Sequence, residues 1–315
     1  MWQRYVMVFL LTLCVGGPTF GFILLIDPYD SGRFGRGWIS GIVDQNPSTA
    51  SASRGRDPRF DSAVIGNSHG QLIDPARLSS DSGLKFVQLT VPGSGPREQL
   101  TLLRWFMDHH PHIGAIVLTA DSRWCTQDPS LPVSVPFPFW LYTDSNARYA
   151  IDALRTEALD RGFRRLLLAL GLRHESDPAG FSDYERGRVW AFAPNVPQGL
   201  TPAAGVLKPR RQFPAVEKLL EVLRLLPGDA QLVVVFPPVF VTKLPMAGSD
   251  EAELIGECKG AFSQLIDGRG TLIDFAVDGA LVRDPKNFMD ATHYRANLAS
   301  KVDEAIVATL RPPRH

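Results

Sequence analysis

At 315 residues, with 44% hydrophobic and 21% charged side chains, the chain has an ordinary globular composition and room for one large α/β domain or two small ones. Lys plus Arg and Asp plus Glu each number 33, so the net charge is zero and no global field attracts nucleic acid, which is not an expected partner. The three cysteines, Cys14, Cys125 and Cys258, show no C-x-x-C spacing, which argues against a zinc ribbon or a thioredoxin-like motif.

The first element is an uncharged apolar run, Val6 to Ile26, of about the ~20 residues a helix needs to cross a bilayer. It is longer than the hydrophobic region of a signal peptide and lacks a small-x-small cleavage site before Asp27, so residues 1–30 read as an uncleaved signal anchor. Gly16-Gly17-Pro18 is expected to kink it, and Asp27-Pro28-Tyr29 to end it. Arg4 on one side and Arg33 and Arg36 on the other nearly balance. The short tail before the run places the N-terminus in the cytoplasm and the bulk of the chain in the periplasm or outside the cell. Residues 31–60, rich in Gly, Ser, Arg and Pro, show neither helical nor strand periodicity and read as a flexible tether.

From Ser62 strands alternate with helices. Strands are expected at Ala63 to Ile65, Phe86 to Val91, Ile113 to Thr119, Ala230 to Phe236 and Thr271 to Phe275. Helices are expected at Arg97 to His109, Pro214 to Leu226, Asp250 to Ile266 and Arg295 to Leu310. Continuous apolar strands separated by amphipathic helices predict a three-layer α/β/α sandwich on a parallel sheet, spanning 61–311. A long insertion, roughly Ser122 to Arg211, interrupts it after the third strand and is expected to form a cap. It carries the aromatic run Val135 to Tyr142 and one helix, Ser145 to Leu170, whose apolar stripe suits a core helix better than one resting on a membrane. Cys125 and Cys258 either form one disulfide or remain buried thiols, the thiols being preferred.

The chemistry centres on Gly66-Asn67-Ser68-His69-Gly70, a glycine-flanked serine at the turn that follows the first strand of the soluble part. A serine hydroxyl needs a base to take its proton and a group to orient that base. Asp290-Ala291-Thr292-His293 supplies both at the far end of the chain: at i, i+3 on one turn the carboxylate and the imidazole can point the same way. The alternative is that Asp290 caps the last helix and His293 lies on the surface. Gly66-x-Ser68-x-Gly70 also matches the nucleophile elbow of α/β-hydrolases, but that fold is discounted because no oxyanion loop precedes the serine. The histidines of Asp108-His109-His110-Pro111-His112 read as the solvated end of a helix, and no metal or cofactor is expected.

The order of these motifs resembles the SGNH, or GDSL, hydrolases from about Ser62 to Leu310. Gly66-Asn67-Ser68-His69 stands where that family has Gly-Asp-Ser, Val91-Pro92-Gly93-Ser94-Gly95 follows the second strand, and Asp290 and His293 stand where it has its acid and base. The Ser68-His69 pair also resembles the SGNH domains attached to membrane acyltransferases. The resemblance implies a serine esterase or O-acyltransferase working through an acyl-enzyme. Its oxyanion and substrate groups would come from Gly93, Ser94, Gly95, Asn67, Asp121, Ser122 and His69. The sequence departs from the family at Thr119-Ala120-Asp121-Ser122-Arg123, where an asparagine donor is expected. An ionised Asp121 would repel an oxyanion, so either it lies elsewhere or Ser94, Ser122 or Asn67 donates instead. The resemblance further implies a bacterial cytoplasmic-membrane protein, an acylated extracytoplasmic carbohydrate as substrate, and membrane proteins of a polysaccharide pathway as partners. The rival reading is a non-catalytic polysaccharide-binding or scaffold protein.

Overall fold

The computed structural model describes residues 2–34, 41–43, 46–132, 136–187, 189, 191–194 and 212–310. In chain order its elements begin with α1 (Trp2–Ile26), α2 (Pro47–Arg54), β1 (Ser62–Gly66), α3 (Pro75–Ser82), β2 (Phe86–Thr90), α4 (Pro96–His109), β3 (Ala115–Thr119) and α5 (Ser122–Thr126). There follow α6 (Asn146–Asp152), α7 (Thr156–Ala169), α8 (Pro214–Leu223), β4 (Gln231–Phe236), α9 (Asp250–Ile266), β5 (Gly270–Asp274), α10 (Ala280–Arg283) and α11 (Ala296–Thr309). They form two compact units: Met1–Arg56 with Pro138–Pro178, and Asp57–Phe137 with Ala179–His315.

The second unit is the expected α/β sandwich. Its five strands are all parallel, in the order β2-β1-β3-β4-β5. Strands buried on both faces need apolar residues at consecutive positions, and Ala63-Val64-Ile65 and Ala115-Ile116-Val117-Leu118 meet that need. Val64, Val117 and Val235 face Leu78 of α3 and Val302 and Ile306 of α11, while α4, α8 and α9 cover the opposite face. The chain reverses its winding direction between β1 and β3, so their carboxyl ends border the crevice where such sheets hold ligands. Gly66 and Gly70 allow β1 and its turn to pass close to β3: a Cβ on Gly66 would lie 1.7 Å from Thr119 Oγ1.

Cys125 and Cys258 are joined in a disulfide that ties α5 to α9, correcting the preference for two thiols. Their Cα atoms are 5.5 Å apart because α5, immediately after β3, packs against α9. Trp124, beside Cys125, is buried against Phe262 and donates its Nε1–H to Gln99 Oε1 at 2.8 Å. His109 and His110 stack on Trp105 and Phe106, and Asp274 accepts from Lys259 Nζ as a structural partner.

Asp303, on the buried side of α11, is 3% exposed, and burial pushes its carboxyl up to about 7 against the pull of Arg77, 3.9 Å away. Its folded value exceeds the ordinary carboxyl value, so its stabilising contribution is complete below about pH 4 and is lost as pH rises toward 7. Asp303→Asn is expected to stabilise the chain by about 1–3 kcal/mol above pH 7 and to flatten that slope, as thermal melts between pH 4 and 8 will show.

The first unit corrects the expected tether. Asn46 accepts from Ser48 N, Pro47 opens α2, and Ala50 and Ala52 are fully buried. The small polar composition that looked like a linker suits a helix packed at close range. Ser51 Oγ donates back to Pro47 O, and Ser53 Oγ donates to Asp30 Oδ2 at 2.5 Å. Residues 35–40 and 44–45 of the expected tether, and 133–135, 188, 190 and 195–211 of the expected insertion, lie outside the described residues. The insertion is not one cap: α5 stays with the sheet, 138–178 joins the N-terminal unit, and 179–187 returns to the sheet. The helix expected over Ser145 to Leu170 is two helices, parted at Arg155, whose backbone is extended and whose Nε–H donates to Asp152 O. Nor is it a core helix. Of α7 only Ala158, Gly162 and Arg165 are buried, and the apolar stripe is largely exposed.

α1 runs without a break through Pro18, is apolar enough to cross a membrane, with a mean hydropathy of 2.2 over its best window, and ends at Ile26, where Asp27 turns into positive φ.

Candidate active site

The structure brings the two ends of the sheet unit together. Ser68 opens a single 3₁₀ turn after β1, and its Oγ lies 3.0 Å from His293 Nε2. His293 Nδ1 is 2.8 Å from Asp290 Oδ2. These spacings let Asp290 hold the Nδ1–H tautomer, which leaves Nε2 free to accept the Ser68 proton. Asp290 is fixed through its other oxygen: Oδ1 accepts from Thr292 N (2.7 Å), Thr292 Oγ1 (2.9 Å) and His293 N (2.9 Å). Partial burial raises its pKa, but the Thr292 N–H, the imidazole and the remaining donors outweigh it and hold the carboxyl at about 2.

The turn that presents Ser68 is held from β3. Asn67 accepts the His69 N–H on Oδ1 and donates from Nδ2 to Asp121 Oδ2 at 2.7 Å. Asp121 caps α5 through Arg123 N, and Arg123 Nη1 donates to the carbonyls of Gly93 and Ser94. Asp121 thus stands between two donors as a brace linking the first and third crossover loops, which accounts for an acid where a donor was expected. Asp121→Ala is expected to lower kcat by about 10- to 100-fold with KM little changed, since it frees the turn without touching the ester. Steady-state kinetics against a Ser122→Ala control test this.

The other expected oxyanion residues separate. Gly95 N–H is taken by Glu98 Oε2 at 2.9 Å, because Glu98 boxes the start of α4, so Gly95 is not a donor. Ser94 is 1% exposed and its hydroxyl donates to Gly66 O, so it too is spent on structure. Ser122 is exposed on α5. Among the described residues no acceptor takes the backbone N–H of Ser68 or of Gly93, and Gly93 adopts φ 76°, which favours glycine. Both N–H groups are thus unclaimed.

His69 sits edge-on to His293, with ring centroids 5.7 Å apart, and its Nδ1 is buried, 3.8 Å from Asp121 Oδ2 and without a hydrogen bond. Burial lowers its pKa by more than Asp121 raises it, so it is neutral at pH 7.

Residues beyond the expected set complete the shell. Tyr294 is buried and donates to His69 O at 2.7 Å, tying the Asp290–His293 loop to the serine turn. Tyr184, from the far part of the expected insertion, donates to Tyr294 O at 2.7 Å and sets its ring against His293 at 5.6 Å. Its neighbour Glu185 accepts from Arg295 Nε and from Ala296 N at the start of α11. Tyr294 could have been suspected as the neighbour of His293. Tyr184 lies in a stretch without periodicity and carried no signal.

No family model and no curated protein matches the sequence. Among solved structures the chain is similar to a Streptococcus pneumonia protein provisionally described as a platelet activating factor, at 10% identity and TM-score 0.39, over 83% of this chain and 91% of that one. At that TM-score the likeness does not bear on function.

Proposed function

We propose that the chain is a serine esterase or O-acyltransferase of SGNH type, held by α1 in the bacterial cytoplasmic membrane with its sheet unit outside, acting on small O-acyl groups of a carbohydrate. The observation that carries the chemistry is the line Ser68 Oγ to His293 Nε2 to Asp290 Oδ2, at 3.0 and 2.8 Å. Ser68 Oγ attacks the ester carbonyl carbon while its proton passes to Nε2. The resulting oxyanion meets the N–H groups of Ser68 and Gly93. The ester C–O bond then breaks, Nε2 returns the proton to the departing sugar oxygen, and an acyl-enzyme on Ser68 remains. A water or a second sugar hydroxyl, deprotonated by His293, takes the acyl group and restores the serine.

Placement outside the cytoplasm is supported by the Cys125–Cys258 disulfide, a bond that persists in oxidising compartments. A carbohydrate ester is supported by resemblance to anchored SGNH proteins. The test is labelling of the full chain in detergent with a fluorophosphonate probe. Stoichiometric modification at Ser68 supports an activated serine. A folded chain that stays unlabelled removes the enzyme reading and leaves the polysaccharide-binding one.

A further inference from the structure

α7 (TEALDRGFRRLLLA) meets α1 along one narrow flank. Gly162 sits against the last turns of the apolar helix so closely that a Cβ there would lie 3.0 Å from Ile26 Cγ2 and 3.1 Å from Phe22 Cε1. Buried Arg165, on the same flank, locks the exit of α1: it donates to Ile26 O (3.1 Å), Gly41 O (2.8 Å) and Asp30 Oδ1 (3.1 Å). Asp27, just past the helix, accepts from Tyr149 Oη, Ser31 Oγ and Gly32 N. With its buried polar groups paired, α7 is fixed to the end of α1 rather than hinged from it.

The neighbouring flank of α7 is apolar and bare. Leu159 and Phe163 are 39% and 57% exposed, Leu170 is 62%, and Ile151 and Leu154 on and after α6 are 69% and 52%. At positions 159, 163 and 170 the residues follow the helical repeat, so they form one ridge, beside the flank through which Gly162 packs on Phe22 and Ile26 of α1. Amphipathic side chains surround the same exit. Tyr29 packs edge-on to Trp140 at 5.2 Å, Arg155 lies over Trp140 at 5.0 Å, and Arg161 lies over Tyr29 at 5.1 Å. Aromatic rings paired with guanidinium tips suit the level where acyl chains give way to headgroups.

We propose that the ridge of Leu159, Phe163 and Leu170, together with the exposed Ile151 and Leu154, beds in the phospholipid headgroup–acyl boundary of the bilayer that α1 crosses, making α6 and α7 a second, interfacial membrane contact. The occupant is lipid because the ridge is apolar, exposed and carried on a helix fixed by Gly162 and Arg165 against the last turns of an apolar helix long enough to cross a bilayer. The inference rests on the reading of α1 as a retained membrane span.

The test uses the full chain with Cys14→Ser, reconstituted at one copy per nanodisc in phosphatidylcholine and phosphatidylglycerol. An environment-sensitive fluorophore is attached at Phe163→Cys, Ile151→Cys or Glu157→Cys in separate variants, each shown by its circular dichroism melt to fold like the parent. At positions 163 and 151 we expect a blue-shifted emission, severalfold weaker quenching by aqueous iodide than at 157, and strong quenching by lipids bearing a nitroxide near the headgroup. Equal iodide quenching at all three positions, with the chain retained in the disc, overturns the proposal and leaves the anchor intact. Protection that arises only with two copies per disc assigns the ridge to self-association and also overturns it. A chain that mass spectrometry shows to have lost α1 overturns the anchor reading and this inference with it.

Discussion

Ser68→Ala is expected to abolish fluorophosphonate labelling and to reduce turnover of an aryl acetate by about 10⁴- to 10⁶-fold, with His293→Ala close behind and the double variant no worse than either single one. Such non-additivity follows because the serine and its base act as one unit at 3.0 Å. Asp290→Asn makes a sharper statement. Asp290 Oδ1 accepts from two backbone N–H groups and a hydroxyl, so an asparagine must keep its carbonyl oxygen there and turn its amide toward His293 Nδ1. The imidazole would then carry its proton on Nε2 and could not accept one from Ser68. We expect a loss of about 10²- to 10⁴-fold, toward the lower end because half of the Asp290 side chain is exposed and solvent screens it. Asp290→Ala, which imposes no tautomer, is expected to cost less than Asp290→Asn. Turnover measured on all five variants checks the order; Asp290→Asn activity near wild type would sink the assigned role.

Removing the disulfide is expected to have the largest effect on stability. Cys125 and Cys258 are 133 residues apart, and closing a loop of that order lowers the entropy of the unfolded chain by an amount worth about 5 kcal/mol, while native disulfides measure about 2–5 kcal/mol. Cys125→Ser with Cys258→Ser should therefore lose about 2–5 kcal/mol in urea unfolding followed by circular dichroism of the sheet unit, and reductant should shift the wild type by the same amount. The bond also has a functional consequence, because α5, which carries Cys125, is capped by the Asp121 that braces the Ser68 turn. Activity at moderate urea should fall with the loss of the bond before the whole unit unfolds. Identical unfolding curves with and without reductant would mean that the bond does not bear load.

The sequence by itself determined the sheet unit and singled out Ser68, Asp290 and His293, which the fold brings into one hydrogen-bonded line. Strands buried on both faces demand unbroken apolar runs, and those runs mark all five strands to within a residue or two. Ser68, Asp290 and His293 stood out because their chemistry requires a glycine-flanked turn after a strand and a short carboxylate-to-imidazole spacing, both of which are local. The tertiary structure decided what depends on contacts between distant segments. Asp121 reads as a poor oxyanion donor in sequence and becomes a brace only once β1 and β3 are neighbours. Ser94 and Gly95 look like donors until Gly66 O and Glu98 claim them. The small polar residues of α2 and the apolar stripe of α7 mislead in opposite directions. Small hydroxyl residues can be buried when their hydrogen bonds are met locally, and an apolar helical face specifies that water is unfavourable there without specifying whether protein or lipid replaces it.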